Sequence, residues 1–95
     1  MSRQIIVKAG FERAYRRLPE ADRHLVDEAL KRFDLYLRTH QAAAGLGLKH
    51  LGSRTYEFRA GLALRIVYVA EGEKIVLSLL GSHDEVRRFL NVNKA

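Results

Sequence analysis

Tyr56-Glu57-Phe58-Arg59-Ala60 and Leu64-Arg65-Ile66-Val67-Tyr68-Val69, joined through Gly61-Leu62-Ala63, decide the fold class of this chain. Successive side chains of a strand point to opposite faces. Strict alternation therefore puts Tyr56, Phe58 and Ala60 on one face, and Glu57 and Arg59 on the other. The second run is rich in β-branched and aromatic residues, which favour strands. It reads as the partner strand of a hairpin. Glu71-Gly72-Glu73-Lys74 then supplies a turn into Ile75-Val76-Leu77-Ser78-Leu79-Leu80, an apolar run that suits a central strand.

Upstream of this β-rich half the period changes. Ile5-Ile6-Val7 sits in a short predicted strand from Gln4 to Ala9. Phe11, Ala14, Tyr15 and Leu18 follow i, i+3, i+4, i+7 spacing and mark one face of a short helix that Pro19 ends. The next helix carries the stripe Val26, Ala29, Leu30, Phe33 and Leu37. Its acid-before-base pairs Asp27–Lys31, Glu28–Arg32 and Asp34–Arg38 lie at i, i+4. Gln41 to Gly52, with an alanine run and three glycines, reads as a loop of about a dozen residues, a length often tied to function. Gly81-Ser82-His83-Asp84 closes the last strand, and a final short helix begins near Asp84-Glu85 and runs through Leu90. The predicted order is β-α-α-β-β-β-α, an α+β fold in a single domain spanning residues 1–95.

Composition narrows the function classes. An apolar content of 47% suits a globular core and argues against a disordered chain. The chain has no cysteine, which excludes disulfides, thiolate metal sites and a cysteine nucleophile. No apolar run approaches the roughly 20 residues of a membrane-spanning helix. The segment from Met1 to Lys8 is too short in its apolar part for a signal peptide, so an intracellular, cytoplasmic protein without a membrane partner is expected. Phosphate-loop, dinucleotide-binding and serine-elbow motifs are absent from the sequence. His83-Asp84 has no second cluster at ligand spacing, so neither metal nor other cofactor is expected.

Charge then points to a polyanion. The net charge is +6 and the isoelectric point is near 10.1, the electrostatic footprint of nucleic-acid binders. The second helix balances its own charges. Between Gln41 and Ala70, by contrast, Lys49, Arg54, Arg59 and Arg65 face a single acid, Glu57, which leaves the bases mostly unpaired. Arg59 points away from the core if Phe58 points into it, and the hairpin register brings Arg65 to the same face. Guanidinium groups grip phosphate through paired hydrogen bonds. His50 reads first as loop surface, and His24 and His40 as helix surface.

The series Leu48-Lys49-His50-Leu51, Tyr56-Glu57-Phe58-Arg59-Ala60-Gly61, Leu64-Arg65-Ile66-Val67-Tyr68 and Leu79-Leu80-Gly81-Ser82-His83-Asp84-Glu85-Val86 resembles the RelE/ParE toxin superfamily, the toxin half of bacterial type II toxin–antitoxin pairs. With the helical first half matching in order and length, the resemblance covers essentially the whole chain. It implies two N-terminal helices packed on a curved antiparallel sheet with a short C-terminal helix. It also implies a cognate antitoxin partner, and operator DNA bound only through the antitoxin complex. Two activities are implied. RelE-like members, with YafQ- and HigB-like proteins among them, cleave mRNA in the ribosome without metal. ParE-like members inhibit DNA gyrase and perform no chemistry.

Carried over by position, Arg65 matches the strand arginine that holds the scissile phosphate, and Arg59 a basic position on the preceding strand. His83 matches the histidine of a YafQ-like Gly-Ser-His segment. Lys49 and His50 lie where loop bases help hold RNA, and Arg54, in the loop leading to the sheet, is a further RNA-binding candidate. Where many RelE-like toxins place Tyr or Phe this chain has Arg87, with Phe89 nearby to stack on a base. Metal-free RNA cleavage needs a base for the 2′-OH, cations for the transition state and an acid for the leaving 5′ oxygen. Histidine titrates near neutrality, so His83 is the candidate proton-transfer group and Arg59 and Arg65 the candidate phosphate clamp.

Overall fold

The computed structural model describes residues 3–41 and 45–92. The strands are β1 (Gln4–Val7), β2 (Lys49–Gly52), β3 (Thr55–Ala60), β4 (Leu64–Glu71) and β5 (Lys74–Ser82). The helices are α1 (Ala9–Arg17), α2 (Glu20–Thr39) and α3 (His83–Val92). The strands form one sheet in the order β1-β5-β4-β3-β2. This is the expected α+β class with two refinements. Residues from Lys49 onward, expected as loop, form β2 antiparallel to β3. β1 runs parallel to β5, so the sheet is mixed rather than wholly antiparallel. A four-residue strand such as β2, containing Lys, His and Gly, has too little β character to stand out from a loop.

The sheet is built by the alternation that the sequence displays. Phe58, Ala60, Ile66, Tyr68, Ile75, Leu77 and Leu80 are buried on one face beneath Phe11 of α1 and Val26, Ala29 and Phe33 of α2. Phe33 anchors this layer. Its ring lies 4.4 Å from that of Phe58 and 4.6 Å from that of Tyr68, centroid to centroid. β5 keeps the alternation only by a register shift against β4, where Val67 pairs with Leu79 and Tyr68 with Leu77. Ser78 is the extra residue of that bulge. Leu46 is fully buried, and its carbonyl accepts a 2.8 Å hydrogen bond from the Arg59 amide. The stretch expected as a free loop is therefore pinned to the core just before β2, while residues 42–44 of that expected loop lie outside the described residues.

Helix ends follow ordinary rules, whereas two of the three expected i, i+4 pairs, Asp27–Lys31 and Glu28–Arg32, give way to other partners. Pro19 precedes α2, and His40 closes it in the left-handed conformation at φ 59°. Asp34–Arg38 pairs as expected at 3.0 Å, whereas Glu28 pairs with Lys31 at 3.5 Å rather than with Arg32. Asp27 accepts a 2.7 Å hydrogen bond from the Tyr15 hydroxyl, tying α1 to α2. That bond is the main reason the Tyr15 phenol titrates above its usual range, with burial adding to it.

The third helix lies on the other side of the sheet. It packs on β4 and β5, and it starts at His83 and ends at Val92, slightly longer than expected. Gly81 pairs with Arg65 across the ladder. A Cβ on Gly81 would stand 3.0 Å from the Glu85 side chain, so the first turn of α3 rests directly on that face. Val67, pointing away from the helix-side core, and Val86 of α3 are both buried.

Candidate functional site

The strand pairing fixes which side chains share the open face. Arg59 stands opposite Arg65, and Glu57 opposite Val67. Lys49 stands opposite Glu57, and Arg65 opposite Gly81. Lys49, Glu57, Arg59 and Arg65 therefore form a charged patch of three cations and one carboxylate, bounded by β2 on one side and α3 on the other. Two arginines directly opposite each other repel, and Glu57 offsets this from the diagonal position. Its carboxylate lies 3.2 Å from Arg65 Nε. Of the bases expected to stand mostly unpaired, Arg65 is held by the single acid of that stretch. Its Nη1 also donates to the Leu62 carbonyl at 3.3 Å.

The pair is well sheltered, with the Arg65 and Glu57 side chains 14% and 11% exposed. Arg59 is exposed. Its aliphatic stem runs beneath Gly47, whose φ of 63° and lack of a Cβ let the chain pass: a Cβ there would lie 3.0 Å from Arg59 Cγ and Cδ. The Leu46 carbonyl bound to the Arg59 amide fixes the same crossing. One arginine is thus clamped, and its neighbour presents an exposed head on a guided stem.

His83 is the first residue of α3, two positions beyond Gly81, the cross-strand partner of Arg65. Its placement follows from local sequence. The Ser82 hydroxyl accepts a 3.2 Å hydrogen bond from the Glu85 amide, and the Glu85 carboxylate accepts a 3.0 Å bond from the Ser82 amide. That reciprocal pair is a capping box, and it starts the helix after Ser82. Gly81 gives the Glu85 side chain room, and Val86 buries the first turn. His83 is left exposed at the rim of the charged face.

The remaining candidates separate. Arg87 is exposed one turn beyond His83 on the same side of α3, and Phe89 is half-buried on that helix. Arg54 lies in the turn between β2 and β3, roughly 17 Å along the strand from Arg59 at about 3.4 Å per residue. His50 points to the opposite face. Its ring lies 4.8 Å from that of Tyr56, tilted by 38°, and its Nε2 lies 2.6 Å from the Ser53 carbonyl. The fold therefore gathers Lys49, Arg59, Arg65 and His83, with Arg87 beside them, and leaves out His50 and Arg54. Glu57, which the sequence shows on the same face as Arg59, is the residue whose pairing with Arg65 the sequence reading did not foresee. Among the described residues no group of three or more His, Asp or Glu side chains is placed to hold a metal ion. Among the described residues no helix is long and apolar enough to cross a membrane.

No protein-family model and no curated protein matches the sequence. Solved structures do match. A chain of the E. coli DinJ–YafQ toxin–antitoxin complex is 14% identical with a TM-score of 0.69, covering 90% of this chain and 98% of that one. The YoeB/ParE toxin from Agrobacterium tumefaciens is 16% identical at a TM-score of 0.66, covering 84% and 98%. A chain of the RelB–RelE antitoxin–toxin complex from Methanococcus jannaschii is 13% identical at 0.65, covering 88% and 96%. The structural neighbours of this chain are thus toxins of the RelE, YafQ, YoeB and ParE type, and their fold is its fold.

Proposed function

We propose that this protein is the toxin of a type II toxin–antitoxin pair and acts as a metal-independent endoribonuclease on ribosome-bound mRNA. The observation that carries the proposal is the row Arg59–Arg65–Gly81 across three strands, with His83 starting α3 at its end. An RNA backbone laid over this row meets two guanidinium groups at one phosphate. Arg59 and Arg65 stabilise the charge that builds on the phosphate oxygens as the 2′ oxygen attacks. His83 moves a proton, either from the 2′-OH or to the departing 5′ oxygen. Glu57 is a positioning residue that keeps Arg65 aimed across the sheet. Lys49 and Arg87 extend the cationic track on either side, where phosphate contacts add affinity without reading sequence.

The partners follow from the same surface. A chain of net charge +6 suits an acidic antitoxin segment that covers the row and blocks RNA. Operator DNA would be met only by that complex, and action on mRNA places the protein in the cytoplasm. The test is induced expression, with mRNA 5′ ends mapped and plasmid supercoiling measured in the same cells. New 5′ ends in phase with codons, lost on His83→Ala while the variant still binds its antitoxin, are the expected result. Altered supercoiling with intact mRNA would replace the nuclease by a gyrase inhibitor. Undiminished cleavage by His83→Ala would remove the histidine from the chemistry.

A further inference from the structure

On the opposite face of the sheet from the charged row, beyond the core, lies a cavity of about 220 Å³. Its walls include Arg3, Tyr36, Tyr56, Tyr68, Ala70 and Ile75. Three of the chain's four tyrosines therefore meet at one small space. Tyr56 and Tyr68 are direct cross-strand partners, and their rings lie 5.2 Å apart and nearly parallel at 14°. Tyr36 comes from the last turns of α2, its ring 6.3 Å from that of Phe33. Arg3 enters from just ahead of β1.

Tyr68 is the informative member. It is only 4% exposed, yet its hydroxyl is not among the fully buried polar atoms that lack a partner, and the residue lines the cavity wall. Burial chiefly, and then the neighbouring Tyr36 and Tyr56, push its ionisation well above the usual range, while Arg3 pulls the other way. Tyr68 therefore senses the other three cavity groups. Phenol hydroxyls donate to anions and a guanidinium does so with charge, whereas Ala70 and Ile75 offer apolar wall. The volume falls below the roughly 300–1,000 Å³ of drug-sized sites, so the fitting ligand is compact.

We propose that this cavity is a second binding site, for a small molecule that carries one oxyanion on an apolar or aromatic body. The oxyanion meets Arg3 and the tyrosine hydroxyls, and the body lies along Ala70 and Ile75. The site is independent of the nuclease reading, because it shares no residue with the charged row. Benzoate is the probe. Tyrosine ring resonances, followed by NMR in the full chain, are expected to shift saturably for Tyr36, Tyr56 and Tyr68 but not for Tyr15. Tyr68→Phe keeps the ring stack and removes one hydroxyl, and is expected to weaken benzoate about tenfold or more, as loss of a hydrogen bond to a charged group does. Arg3→Ala, at the exposed edge of the cavity, is expected to do the same. Inorganic phosphate, which lacks the apolar body, is expected to bind at least about tenfold more weakly than benzoate. Equal binding would assign the cavity to a bare anion and overturn the ligand class. Absence of a saturable shift, or unchanged benzoate affinity in both variants, would overturn the site.

Discussion

The two faces of this sheet are made by alternate residues of the same strands, yet they differ in almost every physical respect. Toward α1 and α2, Phe58, Ile66, Tyr68, Ile75 and Leu80 pack with Phe33 into a layer without a charged side chain. On the other side, the intervening Glu57, Arg59 and Arg65 form a charged surface that α3 covers only over β4 and β5. The difference teaches a division of labour. Residues of one parity hold the fold, and residues of the other are available for chemistry because little stability rests on them. Phe33→Ala is therefore expected to cost about 3–5 kcal/mol, the usual loss for a buried aromatic. Arg59→Ala is expected to change stability by no more than about 0.5 kcal/mol while abolishing RNA cleavage. Urea denaturation of both variants, beside a cleavage assay on Arg59→Ala, checks the pair. An Arg59→Ala protein that unfolds as readily as Phe33→Ala would break the division.

Glu57 and Arg65 blur that line. They sit on the charged face, yet both side chains are mostly buried and bonded to each other at 3.2 Å. Removing one partner of a sheltered pair strands the other. Glu57→Gln is accordingly expected to lower stability by about 1–2 kcal/mol, less than a core truncation because a neutral amide still accepts a hydrogen bond. RNA affinity is expected to move the opposite way. With the carboxylate gone, a phosphate no longer competes for Arg65, and the patch gains one unit of positive charge. Chemical denaturation together with fluorescence anisotropy on a labelled single-stranded RNA measures both. Stability and RNA affinity falling together would make Glu57 a positioning residue alone.

How much of this was legible beforehand depended on how far each feature reached along the chain. The hairpin of β3 and β4 was readable because period-two alternation is local, and its register put Arg59 beside Arg65 as the pattern required. The long amphipathic α2 was readable for the same reason. β2 was not, because its strand character comes from its pairing with β3 and from Leu46 entering the core, neither of which four residues can announce. The direction of β1 depends on β5, some seventy residues away, and no local signal carries it. In the candidate site, His83 stood out by residue type and by resemblance. Its exposed placement, however, is set by Ser82 and Glu85, a capping box that is plainly written as Ser-x-x-Glu once a helix is expected there. His50 was grouped with Lys49 by sequence adjacency, although neighbours on a strand face opposite ways.

The capping box also supplies the finest test of the two-face division, because it lies where the faces meet. Ser82→Ala removes the acceptor for the Glu85 amide and is expected to cost about 1 kcal/mol, the usual loss for an N-cap. That is smaller than the effect at Phe33 or Glu57, and the rest of α3 stays packed through Val86. The consequence for the site is larger than the consequence for the fold. The box fixes the first turn, and the first turn fixes the direction in which His83 leaves the sheet. Proton transfer depends on that direction within fractions of an ångström. Ser82→Ala is thus expected to reduce cleavage severalfold with little change in RNA affinity, and Ser82→Thr, which keeps the acceptor oxygen, to restore most of it. Melting curves, RNA binding and cleavage rates on the two variants separate the contributions. If Ser82→Ala lost stability but kept the full cleavage rate, His83 would not need the helix start to aim it, and its place at the rim of the charged face would owe nothing to the box.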